Sequence, residues 1–283
     1  MMYFWQFLCL LLLHIPLVVS LEHSPWFDRD FALYVRPTFL YQYYPKFNST
    51  SSSYFHNRSG QDQFFTLSGS LTAFGISGEL EFDFANTRKQ KACLDSVRLN
   101  ARYQLLSDLA AVDPLSLVLG ATYIQAFGQS VNDPSSFHHG KCEVELYLSA
   151  GNEFPYKQFW ETHTWGMVAF GVADKGSAWM RLDLAVEKNW FDQHKIQASI
   201  HTLVGFGQES LKLPPTHFHG YGPIKHRSVD LELRYSWATE CYGRFDLGYT
   251  YRVYASNFPA NTQVALLGWE SEHSVIDFIA LFK

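Results

Sequence analysis

The sequence predicts an all-β fold: a single antiparallel transmembrane β-barrel of about twelve strands, preceded by an N-terminal signal peptide. Three observations predict it. Side chains alternate apolar and polar over long stretches, aromatic residues are as abundant as charged ones, and the longest connections fall on one side of the strand order. Aromatic and charged residues each make up 17% of the 283 residues, with 16 Tyr, 24 Phe and 8 Trp. A soluble domain normally carries about a quarter charged residues. A membrane barrel needs fewer, because its outer wall is apolar and aromatic girdles mark its rims.

Residues 1–20, MMYFWQFLCLLLLHIPLVVS, read as an export signal with its apolar core around Leu8 to Leu13 and a cut after Ser20. Residues 21–283 are then the barrel. No Lys or Arg precedes the apolar core, so the competing reading is an N-terminal membrane anchor. Cys9 lies inside that core rather than after it, which argues against a lipoprotein cysteine. No later segment reaches the ~20 continuous apolar residues of a spanning helix.

Beyond Ser20 the period is two, that of strands with one apolar and one polar face. In Ile76 to Phe84, Ile76, Leu80, Phe82 and Phe84 share one face, against Ser77, Glu79, Glu81 and Asp83 on the other. Ser96 to Leu105 repeats the pattern. Strands are expected near 31–43, 63–74, 76–86, 93–106, 115–127, 141–149, 160–172, 177–188, 195–206, 228–239, 243–255 and 262–270, with the tail Ser274 to Phe282 also strand-like. Bacterial single-chain barrels use an even number, so twelve is the expectation, with ten to fourteen open. The three longest connections, 44–62, 128–140 and 207–227, follow the first, fifth and ninth of these strands and so share one side. They are rich in turn formers: NSTSSSYFHNRSG, GQSVNDPSSFHHG and GQESLKLPPTHFHGYGPIKHR.

The polar faces carry charge near mid-strand. Glu79, Glu81, Asp83, Arg98, Arg102, Arg181, Asp183, Asp230, Glu232, Arg234, Arg244 and Asp246 are the expected barrel lining. Inside a narrow barrel such charges must be paired or wetted. Pairs are expected between the acidic row at 79, 81 and 83 and Arg98 or Arg102, between Asp230 and Arg252, and between Glu232 or Arg234 and Asp246. A soluble sandwich with a solvated charged face is the alternative, but its strands usually run nearer five or six residues. Tyr41, Tyr43, Tyr44, Tyr123, Phe127, Trp160, Trp190, Phe191, Trp237, Tyr254 and Trp269 stand near strand ends, where girdles belong.

The last residues, Val275 to Lys283, resemble the closing strand of bacterial outer-membrane proteins, with Phe278, Ala280 and Phe282 keeping the alternation and Lys283 following. The resemblance implies recognition by the barrel-insertion machinery. Ser24-Pro25-Trp26-Phe27, leading into Phe31 to Tyr44 with its Pro37 and aromatic cluster, resembles uncharacterised outer-membrane barrels of chlamydia-like bacteria. That implies the outer membrane of a Gram-negative cell, a lipid-facing wall and a cell-surface end, and carries no catalytic motif.

No catalytic, cofactor-binding or metal-binding set is expected. His56, His138, His139, His217, His219 and His226 cluster in the long loops, without Cys or carboxylate at a diagnostic spacing, and read as solvated rim residues. His163 with Glu161, or His201 with Ser199, would suit a wall-mounted lipid hydrolase, but alternation makes such i, i+2 pairs common. Gly-Phe-Gly at 205–207 reads as a turn. Cys93 and Cys142 fall at the outer rim on strands that are not neighbours, leaving free thiols or a bridge both open. Asn48-Ser49-Thr50 and Asn57-Arg58-Ser59 match glycosylation sequons, which have no such meaning in a bacterial barrel. A formal charge of −5 without a basic stripe excludes nucleic acid as a partner. The expected function is a porin-like diffusion channel for small solutes, or a structural surface protein. A loop-mediated adhesin or a lipid hydrolase is the alternative.

Overall fold

The computed structural model describes residues 23–50, 59–110, 113–156, 159–212, 218–239 and 241–274. The expected signal segment and the strand-like tail expected at 274–282 lie outside these residues, apart from Ser274. Twelve long strands close into one barrel: β1 (Ala32–Tyr44), β3 (Gly60–Ala73), β4 (Ile76–Asn86), β5 (Cys93–Leu106), β6 (Ser116–Ala126), β7 (Cys142–Tyr156), β8 (Phe159–Ala173), β9 (Trp179–Trp190), β10 (His194–Gly205), β11 (Arg227–Thr239), β12 (Gly243–Ser256) and β14 (Gln263–Ser274). Two short strands, β2 (Lys46–Phe47) and β13 (Pro259–Ala260), pair with each other outside the ring.

Each long strand is antiparallel to its sequence neighbours, and β1 closes the ring on β14 with Ala32 opposite Ser274. Closure removes the edges that would otherwise leave backbone groups unpaired in an apolar surrounding. Alternation then sorts side chains without further instruction. On β4, Glu79, Glu81 and Asp83 are 3%, 1% and 2% exposed, whereas Leu80, Phe82 and Phe84 on the other face are 41%, 37% and 37% exposed. Leu119, Leu146, Phe170, Leu184, Leu233 and Leu247 continue the apolar belt around the outside.

The two ends differ. At one, Phe74 and Gly75, both with positive φ, join β3 to β4 in a tight turn, and Phe191 and Asp192 do the same between β9 and β10. The other end carries the connections 45–59, 127–141 and 206–226.

Two strands run well past their expected ends: β14 reaches Ser274, four residues beyond 270, and β7 extends further still. β7 runs to Tyr156, seven residues past the expected end at 149. Gly151 and Pro155 read as breakers, but the ladder to β8 continues with a register shift at Phe154/Pro155. A bulge there accommodates the residue that cannot donate a hydrogen bond.

A barrel closed by this many ladders resists detergent until heated. The purified chain is expected to migrate differently on a gel in dodecyl sulfate with and without boiling. A single boiling-independent band would contradict closure.

Candidate functional site

The lumen is filled from three directions: by charged wall residues, by the segment preceding β1, and by long loops folded inward. Two continuous charge belts line the wall. In the first, Arg36 on β1 ion-pairs with Glu270 on β14 and lies 3.9 Å from Glu79; Glu270 also takes Arg244 at 3.1 Å, and Arg244 reaches Asp246 at 3.6 Å. In the second, Glu145 holds Arg181 at 2.5 Å, Arg181 lies 3.9 Å from Asp183, and Asp183 accepts from His201 at 3.0 Å. His201 is 3.9 Å from Glu232, which pairs with Arg234 at 2.8 Å. Between the belts Arg98 joins Glu81 at 3.5 Å and Asp83 at 3.0 Å. Adjacency of opposite charges offsets the cost of removing each from bulk water.

The expected pairs are partly as placed here. Asp230 receives Nε and Nη2 of Arg252 at 2.7 and 2.8 Å. Arg98 meets the acidic row, but Arg102 lies opposite Ser77 and donates to its hydroxyl at 3.1 Å and to the Ser24 carbonyl at 3.2 Å. Arg234 lies opposite Gly248 and Ser236 opposite Asp246; Arg234 donates to Glu232 along its own strand, Asp246 has Arg244 as its ion pair, and Arg234 shares the cavity with Asp246 and acts on its charge as expected. The register set at the turn end, with Thr239 opposite Gly243 and unbroken through to Asp230 opposite Arg252, decides this.

The segment before β1 enters the lumen from the short-turn end, which sequence reasoning missed. His23 sits 3.0 Å from Arg181, and its carbonyl accepts from the Ser149 hydroxyl at 2.6 Å. The Trp26 indole N–H donates to Asp108 at 3.0 Å, and its ring stacks on His163 at 3.8 Å. Arg102 stands over Phe27 at 4.8 Å. Burial opposes ionisation of Asp108, but hydrogen bonds from Ser116, the Glu153 amide and Trp26 outweigh it and hold the carboxyl below its ordinary range. The one legible signal was a tryptophan and a phenylalanine ahead of the first strand with no strand of their own.

The long loops are not solvated tassels. Phe47, Leu211, Phe218, Tyr221, Ile224 and Phe258 form a buried apolar cluster with Tyr44, and Phe137 packs against it. Tyr44, expected in a girdle, is only 5% exposed within this cluster. Trp160 stacks on His163 at 3.7 Å. Arg252 closes the underside of the cluster, its guanidinium 4.5 Å from the Phe258 ring and 5.3 Å from Phe137.

His138, His139 and His226 are buried rather than solvated. The apolar loop residues carry them under the surface. His138 bridges Asp95 at 2.8 Å and Glu143 at 3.3 Å. Burial lowers its proton affinity, but those hydrogen bonds prevail and raise its pKa to about 10. His139 faces Glu143 at 3.3 Å through Nδ1 and His226 at 3.2 Å through Nε2. Burial and the adjacent His139 push His226 down to about 3. His219 bonds Asn132, while His56 and His217 lie outside the described residues. Of the hydrolase candidates, His163 meets Glu153 at 2.8 Å while Glu161 pairs with Lys188, and His201 turns its Nδ1 to Asp183. Cys93 and Cys142 are free. Asn48 of the first sequon donates to the Ala255 carbonyl at 2.7 Å.

What remains open is a central cavity of about 260 Å³. Arg98, Arg181, Asp183, Asp230, Glu232, Arg234, Arg244 and Asp246 line it, together with His23 of the inserted segment and Phe137 of the loops. Glu79, Glu81, Asp83 and Arg102 complete the wall as buried inward residues. A second cavity of about 370 Å³ lies toward the short-turn end and shares Lys195 and Arg244 with the first.

Comparisons with known proteins bear on the fold. An outer membrane channel from Pseudomonas putida F1 superposes with a TM-score of 0.63 at 8% identity, covering 90% of this chain and 100% of that one. The NanC porin superposes with a TM-score of 0.54 at 8% identity, covering 84% and 99%. No family model matches the chain, and no curated protein matches it.

Proposed function

We propose that this chain is an outer-membrane diffusion channel of narrow bore, passing small solutes between the short-turn end and the loop end. The observation that carries the reading is the charge-lined cavity inside the closed wall, which shares Lys195 and Arg244 with a second cavity at the short-turn end. The apolar belt on the outside supports a lipid setting, because so large an exposed apolar surface is unfavourable in water. The two structural neighbours share the barrel fold, and they are an outer membrane channel and a porin. The alternation of Phe278, Ala280 and Phe282, similar to that of outer-membrane proteins, supports delivery by the insertion machinery. No enzymatic step belongs to this reading, since His163 and His201 serve carboxylates within the wall network.

Both signs of charge line the path, so it discriminates weakly among small ions. Planar-bilayer recording across a salt gradient is expected to give discrete steps with a reversal potential near zero. Silent bilayers from protein that shows the heat-dependent gel shift would replace the channel with a plugged structural or adhesive barrel.

A further inference from the structure

We propose that His139 and His226 form the protein side of a transition-metal site, taking Zn²⁺ or Cu²⁺ and tying two of the long loops together. The residues stand 87 positions apart, at the ends of the loops 127–141 and 206–226, yet their Nε2 atoms approach to 3.2 Å. Each ring is fixed from behind. His226 Nδ1 lies 2.9 Å from the Ile224 carbonyl, and His139 Nδ1 lies 3.3 Å from a Glu143 carboxylate oxygen. Both partners accept, so both Nδ1 atoms carry the proton. The two Nε2 atoms then face one another across a gap that either a metal ion or a shared proton can bridge. Carbonyl or carboxylate behind Nδ1, with Nε2 presented forward, is the usual support of a metal-ligating histidine.

Two distances separate a metal from a bridging proton. Two nitrogens bound tetrahedrally at Zn–N lengths stand about 3.3 Å apart, with their ring centroids about 5.2 Å apart. A straight N–H···N bond of the observed length, with the rings in line, would place the centroids about 5.5 Å apart. The observed separation is 5.1 Å, with the ring planes inclined at 44°.

The surroundings are built around the pair. A Cβ on Gly205 would lie 2.1 Å from the His226 ring, so only glycine leaves room for it. Trp179 stacks on His139 at 3.7 Å. His139 also borders a cavity of about 190 Å³ beneath the loop, from which water or a solute carboxylate can complete the coordination. Among the described residues no set of three His, Cys, Asp or Glu gathers around one point. The site therefore offers two protein ligands and open positions, and its ion exchanges. Imidazole donors select Zn²⁺ and Cu²⁺ over Ca²⁺ or Mg²⁺.

The test is titration of the untagged, detergent-purified full chain with Cu²⁺, read by electron paramagnetic resonance, and with Zn²⁺, read by calorimetry. One saturable equivalent is expected, with Cu²⁺ hyperfine structure from two imidazole nitrogens. H139N and H226N are each expected to lose it, and H219N to keep it, with the heat-dependent gel shift reporting that each variant is folded. Should either variant fail to fold, the wild-type spectrum decides alone: fewer than two imidazole nitrogens overturns the site. Absence of saturable binding, or binding unchanged in both folded variants, would assign the contact to a shared proton instead.

Discussion

Deleting residues 23–28 is expected to raise single-channel conductance severalfold. His23, Ser24 and Trp26 are buried in the lumen, and their contacts reach β5, β7, β8, β9 and the Asp108 turn. Nothing in the barrel ladders depends on them: β1 begins at Ala32 and is paired on both sides from its first two residues. Removal widens the path without opening the ring. The vacated polar groups, Arg102, Ser149 and Arg181, face the lumen and find water there. If the deletion perturbs assembly, replacing Trp26 with Ala removes the bulkiest ring while leaving the backbone contacts of His23 and Ser24, and a smaller rise is expected. An unchanged conductance in the deleted, heat-modifiable protein would place the current outside this lumen.

The second large effect is expected from Arg98→Met. Arg98 stands between Glu81 and Asp83, carboxylates 1% and 2% exposed, and it is the cation nearest both. Removing one partner of a buried ion pair leaves an uncompensated charge and costs about 3–5 kcal/mol. Methionine keeps much of the side-chain volume, so the loss isolates charge from packing. The temperature of the gel shift is expected to fall clearly. In the same variant the reversal potential should move toward cation preference, because two acidic groups then lack their counter-charge. A variant as heat-stable and as unselective as the parent would contradict the pairing. The double change of Glu81 and Arg98 to Gln and Met should recover part of the stability, because fewer unpaired charges remain.

How much of this was legible in the sequence follows from which forces act locally. Side-chain alternation is a property of consecutive residues, so Ile76 to Phe84 and Ser96 to Leu105 announced their strands and faces directly. The strand number followed from the even-number constraint, and β14 ends at Ser274, the last described residue of the chain. The partner of each charge was less legible, because a one-residue bulge re-aims everything beyond it. Asp230 met Arg252 as expected, and the bulge beside it shifts only Arg227 to Val229, while Arg234, opposite Gly248, pairs along its own strand with Glu232. The loops misled most. Their turn formers outnumber their apolar residues, yet Leu211, Phe218, Tyr221 and Ile224 recur at intervals suited to an inward-folded cap. Burial of His138, His139 and His226 follows from that cap, and no local pattern marks it.

The central claim is that solute passes through this lumen, and swelling of proteoliposomes measures that directly. Vesicles carrying the full-length, heat-modifiable protein are placed in isosmotic solutions of uncharged sugars of increasing size. Fast swelling is expected in the smallest sugar and a steep fall with size, as befits a path narrowed by Trp26 from one end and by Phe137 and Arg252 from the other. Swelling no faster than that of protein-free vesicles, for every sugar, would contradict it and leave the barrel a structural element of the membrane.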